Sequence, residues 1–100
     1  MEDTKIYELT PRYDTRKSFY GKAIVKESVE EQDNMIYESK DLYSYGTLVA
    51  NITYNRETNL DTYQCFGRFS QTTTRHQKEF FKQNGLNDME IKEIFKRGIL

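Results

Sequence analysis

A chain of 100 residues with 36% hydrophobic and 14% aromatic content has room for one modest core and hence for a single domain. Its 15 basic and 16 acidic side chains leave a net charge of −1, which argues against a bulk electrostatic nucleic-acid binder, whose domain is normally clearly basic. One cysteine excludes an intramolecular disulfide, and no run approaches the ~20 apolar residues of a membrane-spanning helix.

Read in chain order, IYELT predicts an edge strand stopped by Pro11, which lacks the donor a central strand needs. SFYGKAIVKE alternates so that Phe19, Ala23 and Val25 share a face, and the acidic EEQDN after it reads as a turn. NMIYESKDLYSY is an aromatic-rich strand or strand pair ending at Tyr45-Gly46. TLVANITY alternates in period two, with Leu48, Ala50, Ile52 and Tyr54 facing one way and Thr47, Asn51 and Thr53 the other. Beyond the polar loop NRETN, DTYQCFGRF places Tyr63, Cys65 and Phe69 on one face with Gly67 between them, completing a hairpin.

From Ser70 the period becomes helical. Ser70 is the N-cap, three threonines fill the first turn, Gly85 sits at the C′ position, and the only histidine, His76, falls on the inner face. A second helix starts at Asn87, with Glu90 completing a capping box and Leu86 and Ile91 a hydrophobic staple. Ile91, Ile94 and Phe95 then form a stripe ended by Arg97 and Gly98. The expectation is an α+β fold: one domain over residues 1–100, an antiparallel sheet of four to five strands over about 5–69, then two C-terminal helices over 70–98 packed on one face. The amino terminus MEDTKIYEL has neither the basic nor the apolar region of a signal peptide, so a cytoplasmic location is expected.

No residue combination amounts to a catalytic, cofactor or metal signature. His76 has no second imidazole beside it and the only thiol, Cys65, alternates in phase with core residues, so His76 reads as a half-buried helix histidine and Cys65 as an inert one. Ser70, Thr72 and Thr73 with Arg75 match an anion site, but hydroxyl capping accounts for the same hydroxyls and leaves Arg75 as the less explained residue. RYDTRKSFYGK interleaves Arg12, Arg16, Lys17 and Lys22 with Tyr13, Phe19 and Tyr20, a mix that suits a solvated loop, a protein contact, or phosphate contacts with base stacking. Tyr37, Tyr43 and Tyr45 cannot all be buried in so small a core, which predicts an exposed tyrosine face.

TPRYDTRKSFYGKA (10–23), LYSYGTLVA (42–50) and SQTTTRHQKEFFKQNG (70–85) together resemble short proteins of unknown function encoded by Gram-positive phages, plasmids and conjugative elements. Those proteins end in a similar Ser-x-Thr-Thr-x-Arg-His helix followed by Gln-Asn-Gly. This chain departs from them in Gln77, where an apolar residue is commoner, and in its long polar NRETNLD loop. The resemblance implies a mobile-element setting and brings no catalytic residue or cofactor with it. The expected function is therefore non-enzymatic binding of a host or element-encoded protein, such as anti-CRISPR-like inhibition of a host defence nuclease. Arg12, Tyr13, Arg16, Lys17, Tyr20, Tyr37, Tyr43, Tyr45 and Arg75 are its candidate contacts. The alternative is a nucleic-acid-binding accessory role using Arg75, Lys78, Lys82, Lys92, Lys96 and Arg97, against which Glu79, Glu90 and Glu93 would point like charges at phosphates.

Overall fold

In the computed structural model, which describes residues 3–67 and 70–100, five strands pair antiparallel in sequence order. They are β1 (Asp3–Glu8), β2 (Ala23–Gln32), β3 (Met35–Ser44), β4 (Thr47–Asn55) and β5 (Leu60–Cys65), followed by α1 (Gln71–Gln83) and α2 (Asp88–Arg97). α1 lies over β3 and β4 and α2 over β5, giving an α+β fold with a helical layer on one sheet face. No helix among the described residues is long and apolar enough to cross a membrane.

Two tight hairpins set the register. Asp33 and Asn34 join β2 to β3 with φ of 53° and 65°, and Tyr45 and Gly46 join β3 to β4 with φ of 51° and 80°. Both are turns whose hand matches strand twist, and Asp, Asn and Gly are the residues that reach positive φ most cheaply. The expected acidic turn therefore shrinks to two residues: Glu30 and Glu31 stay in β2, opposite Tyr37 and Ile36. A third turn, closed by Lys22 N–H donating to Phe19 O at 3.0 Å, occupies part of the segment read as the start of a strand. Phe19 is buried from that turn, and β2 begins only at Ala23.

The alternation expected in TLVANITY fails at one point. Leu42 faces Ala50 but Tyr43 faces Leu48, so Val49 is an extra residue in β4, a β-bulge. Val49 and Ala50 are both buried, whereas Leu48 is turned out to solvent. Tyr63 and Cys65 share the helix-covered face as expected, while Phe69 lies outside the described residues. The outer edge of β5 is covered by the chain's last residues: Cys65 N–H donates to Gly98 O at 2.9 Å and Leu100 N–H to Tyr63 O at 2.9 Å.

The helix ends follow their local signals. Ser70 Oγ accepts Thr73 N–H at 3.3 Å, and after Asn84 the Gly85 and Leu86 amides return to Lys82 O and Phe81 O with Gly85 at φ 96°. Asn87 and Glu90 form the reciprocal capping box at 2.8 and 3.0 Å. The core lies between the sheet (Ala23, Val25, Leu42, Ala50, Ile52) and the helices (Phe80, Phe81, Ile91, Ile94).

Candidate functional site

Residues 9–22, between β1 and β2, carry most of the predicted contact residues, and one side chain fixes their path. Glu79 of α1 is 2% exposed; its Oε1 accepts the backbone N–H of Tyr13 and Asp14, both at 2.9 Å, and its Oε2 that of Arg12 at 3.1 Å. Gln83 Nε2 donates to Glu79 Oε2 at 2.6 Å and to Thr10 O at 2.7 Å. A carboxylate can leave water in this way because several donors replace its hydration. Asp14 continues the lacing, its Oδ1 accepting Arg16 N–H at 2.9 Å and Arg75 Nη1 at 3.2 Å. Glu79 is thus turned into the fold and does not stand on the outer helix face, as the charge argument against phosphate binding had assumed.

Beside this clamp a second polar bridge joins sheet to helix. Ser44 Oγ lies 2.7 Å from His76 Nδ1 and 2.9 Å from Thr73 Oγ1, with Phe19 and Tyr45 rings 4.5 and 5.9 Å from the imidazole. His76 is fully buried at 0% exposure, not half-buried, because the β3 hydroxyl gives its polar edge a partner inside the core. Its Nε2 finds no partner among the described residues, so a proton on Nδ1 is the cheaper tautomer: it leaves a lone pair and not an N–H unpaired. Ser44 is buried as well, which closes the serine–histidine pair to a substrate.

Burial pulls the His76 pKa below its ordinary value, outweighing the upward influence of Asp14, with Arg16 pushing the same way as burial. A depressed histidine pKa means that the unfolded chain binds more protons below pH ~6.5. Stability from this group is therefore complete above the unfolded value and is lost as pH falls from there through the lower folded value, with a slope of up to ~1.4 kcal/mol per pH unit. Thermal melts between pH 7.5 and 5.5 should show this fall in the wild type and a flatter profile in His76→Asn. Equal slopes in the two proteins would show that His76 is not the titrating group.

Cys65 is buried, and burial pushes its thiol up to about 11, as expected of a core cysteine. Among the described residues no three His, Cys, Asp or Glu side chains gather as a metal cluster. At the α1 start Ser70 caps, Thr73 turns inward to Ser44, and Arg75 answers to Asp14, which accounts for the residue the sequence left unexplained.

The predicted contacts divide between two surfaces. Arg12, Tyr13, Arg16 and Arg75 come together on the clamped loop and α1, with Lys17 and Tyr20 exposed on the same loop. Tyr45, 58% exposed, meets the end of that loop, its N–H donating to Lys22 O at 2.9 Å, and its ring lies 5.9 Å from that of His76. Tyr37 and Tyr43 point to the uncovered face of the sheet and are half-buried, so no single tyrosine face exists. They share strand parity, whereas Tyr45 sits in the turn beyond β3. Glu79, Gln83 and Asp14, which build the site, carry no local signal in the sequence.

A model of a family of unknown function, DUF8033, matches residues 7–97. The chain belongs to the DUF8033 family. No curated protein and no solved structure shows significant similarity to it. In this DUF8033 member the outer side of α1 adjoins a polar hollow of about 520 Å³ lined by Asp14, Gln71, Thr74, Arg75 and Lys78. A second, of about 380 Å³, opens between the helices over Ile91 and Phe95, rimmed by Lys78, Lys82 and Lys92. Arg75 and Lys82 are neutralised in part by Asp14 and Asp88, at 3.2 Å each. The acidic side chains Glu30, Glu31 and Asp33 lie exposed at the far end of the β2–β3 hairpin.

Proposed function

We propose that the chain is a non-catalytic binding module that presents the clamped loop and the outer face of α1 to an acidic, aromatic-accepting surface of a protein partner. The observation that carries this reading is the Glu79 clamp, in which a buried carboxylate is spent on the amides of residues 12–14. It holds the loop's backbone so that the Arg12, Tyr13 and Arg16 side chains are left exposed. Arginine and tyrosine on a preorganised backbone are the side chains that dominate interface energetics, because little further ordering entropy is lost on docking. The resemblance to phage, plasmid and conjugative-element proteins supports a cytoplasmic host protein as partner, a defence nuclease being the leading case, with the module acting as its inhibitor.

A second reading, an accessory nucleic-acid binder, gains from the inward turn of Glu79, which leaves Arg75, Lys78 and Lys82 in line on α1 with no glutamate between them, although Asp14 and Asp88 pair with two of the three. Salt separates the two, since phosphate neutralisation makes affinity fall steeply with ionic strength. Under the protein-binding reading, affinity capture from a Gram-positive host lysate at physiological salt retains a partner, Tyr13→Ala with Tyr20→Ala loses it, and oligonucleotides do not bind. Tight, strongly salt-dependent oligonucleotide binding, abolished by Arg75→Ala, Lys78→Ala and Lys82→Ala together, would replace this reading with the second.

A further inference from the structure

The two edges of the sheet are treated differently. The β5 edge is closed by residues 98–100, whereas no backbone group of β1 outside its ladder with β2 has a partner among the described residues. The hydrogen-bond phase of that ladder shows which groups are left over. Leu9 N–H donates to Ala23 O at 2.9 Å, and the register then makes Tyr7/Val25 and Lys5/Glu27 the hydrogen-bonded pairs. Thr4, Ile6 and Glu8 therefore direct their N–H and C=O groups away from the sheet. Residues 4–8 are all exposed, Ile6 at 66%, and neither a proline nor a bulge blunts the strand.

We infer that β1 is a self-association edge, on which a second copy of the chain adds its own β1 antiparallel to continue the sheet across a two-fold axis. The outward phase fixes the register. Only residues 4, 6 and 8 can exchange backbone hydrogen bonds, and the one alignment that uses all of them places Ile6 opposite Ile6 of the second copy and Thr4 opposite its Glu8. This alignment keeps like faces together, so both helical layers lie on one side of the joined sheet. Its side-chain pairs are compatible: the exposed isoleucines meet on the axis, and no like charges stand directly opposite. Lys5, whose Nζ already stands 5.7 Å from its own Tyr7 ring, meets Tyr7 of the second copy. The occupant is a second copy because this short, nearly neutral edge complements itself. A pairing of this length is a small interface, so the dimer forms with rising concentration and is not obligate.

Sedimentation velocity between micromolar and millimolar concentration tests this. The wild type should shift toward twice the 12.0 kDa of the chain, and Ile6→Lys, which places two ammonium groups on the axis, should remain monomeric throughout. Opposed hydrogen-bonded residues have Cα atoms ~5.5 Å apart, within disulfide reach, so Ile6→Cys should oxidise to a covalent dimer while Thr4→Cys, facing Glu8 of the second copy, should not. The buried Cys65 does not compete. A wild type that stays monomeric at millimolar concentration, a dimer that survives Ile6→Lys, or equal cross-linking at positions 4 and 6 would each overturn the inference.

Discussion

Phe80→Ala is expected to lower stability by ~3 to 5 kcal/mol, read as a fall in the denaturant midpoint at unchanged slope. Phe80 is fully buried against Phe81, with ring centroids 5.6 Å apart, at the contact of α1 with the sheet. Truncation removes transfer energy and leaves a cavity that close-packed neighbours fill only in part. An unchanged midpoint would mean that the ring is not in the core and that the phase of α1 is wrong.

The phase of α1 was legible because helix signals are local. Ser70, Gly85, Asn87 with Glu90, and Gly98 lie within a few residues of the ends they mark, and the structure uses each of them. The antiparallel sheet was legible from alternation, but its bulge was not, because the shift between Leu42 and Tyr43 is a property of β3 pairing with β4. Gln77 is 1% exposed, and its Nε2 donates to Val49 O at 3.0 Å, a bulge carbonyl that also accepts Phe66 N–H at 3.0 Å, so a polar residue occupies an inner helix position with its amide paired across the layers. The inner face of His76 is legible from helix periodicity, but its full burial is not, since its partner Ser44 lies 32 residues away in the sequence. The clamp was illegible for the same reason: Glu79 bonds backbone amides 65 to 67 residues distant, and amides carry no sequence signature.

The second large effect is expected at that clamp. Glu79→Ala removes the acceptor from three backbone N–H groups and from Gln83, and each donor left unpaired in the interior costs ~1 to 3 kcal/mol. The loop can open and hydrate those amides, which limits the net loss to ~2 to 4 kcal/mol, measured by chemical denaturation. Glu79→Gln should cost roughly half as much, because its carbonyl can still accept from Tyr13 and Asp14 while its amide nitrogen faces the Arg12 N–H as a second donor. A negligible loss in Glu79→Gln beside a full loss in Glu79→Ala would show that the side chain acts by packing alone.

Native-state amide hydrogen exchange reads, residue by residue, how far Glu79 holds residues 12–14 against α1 and so preorganises the binding face. The wild type should protect the Arg12, Tyr13 and Asp14 amides well above the level of an exposed loop. Glu79→Ala should release those amides while leaving the β2, β3 and β4 amides protected. Fast exchange of the three amides in the wild type, or their continued protection in Glu79→Ala, would show that the carboxylate does not hold the loop.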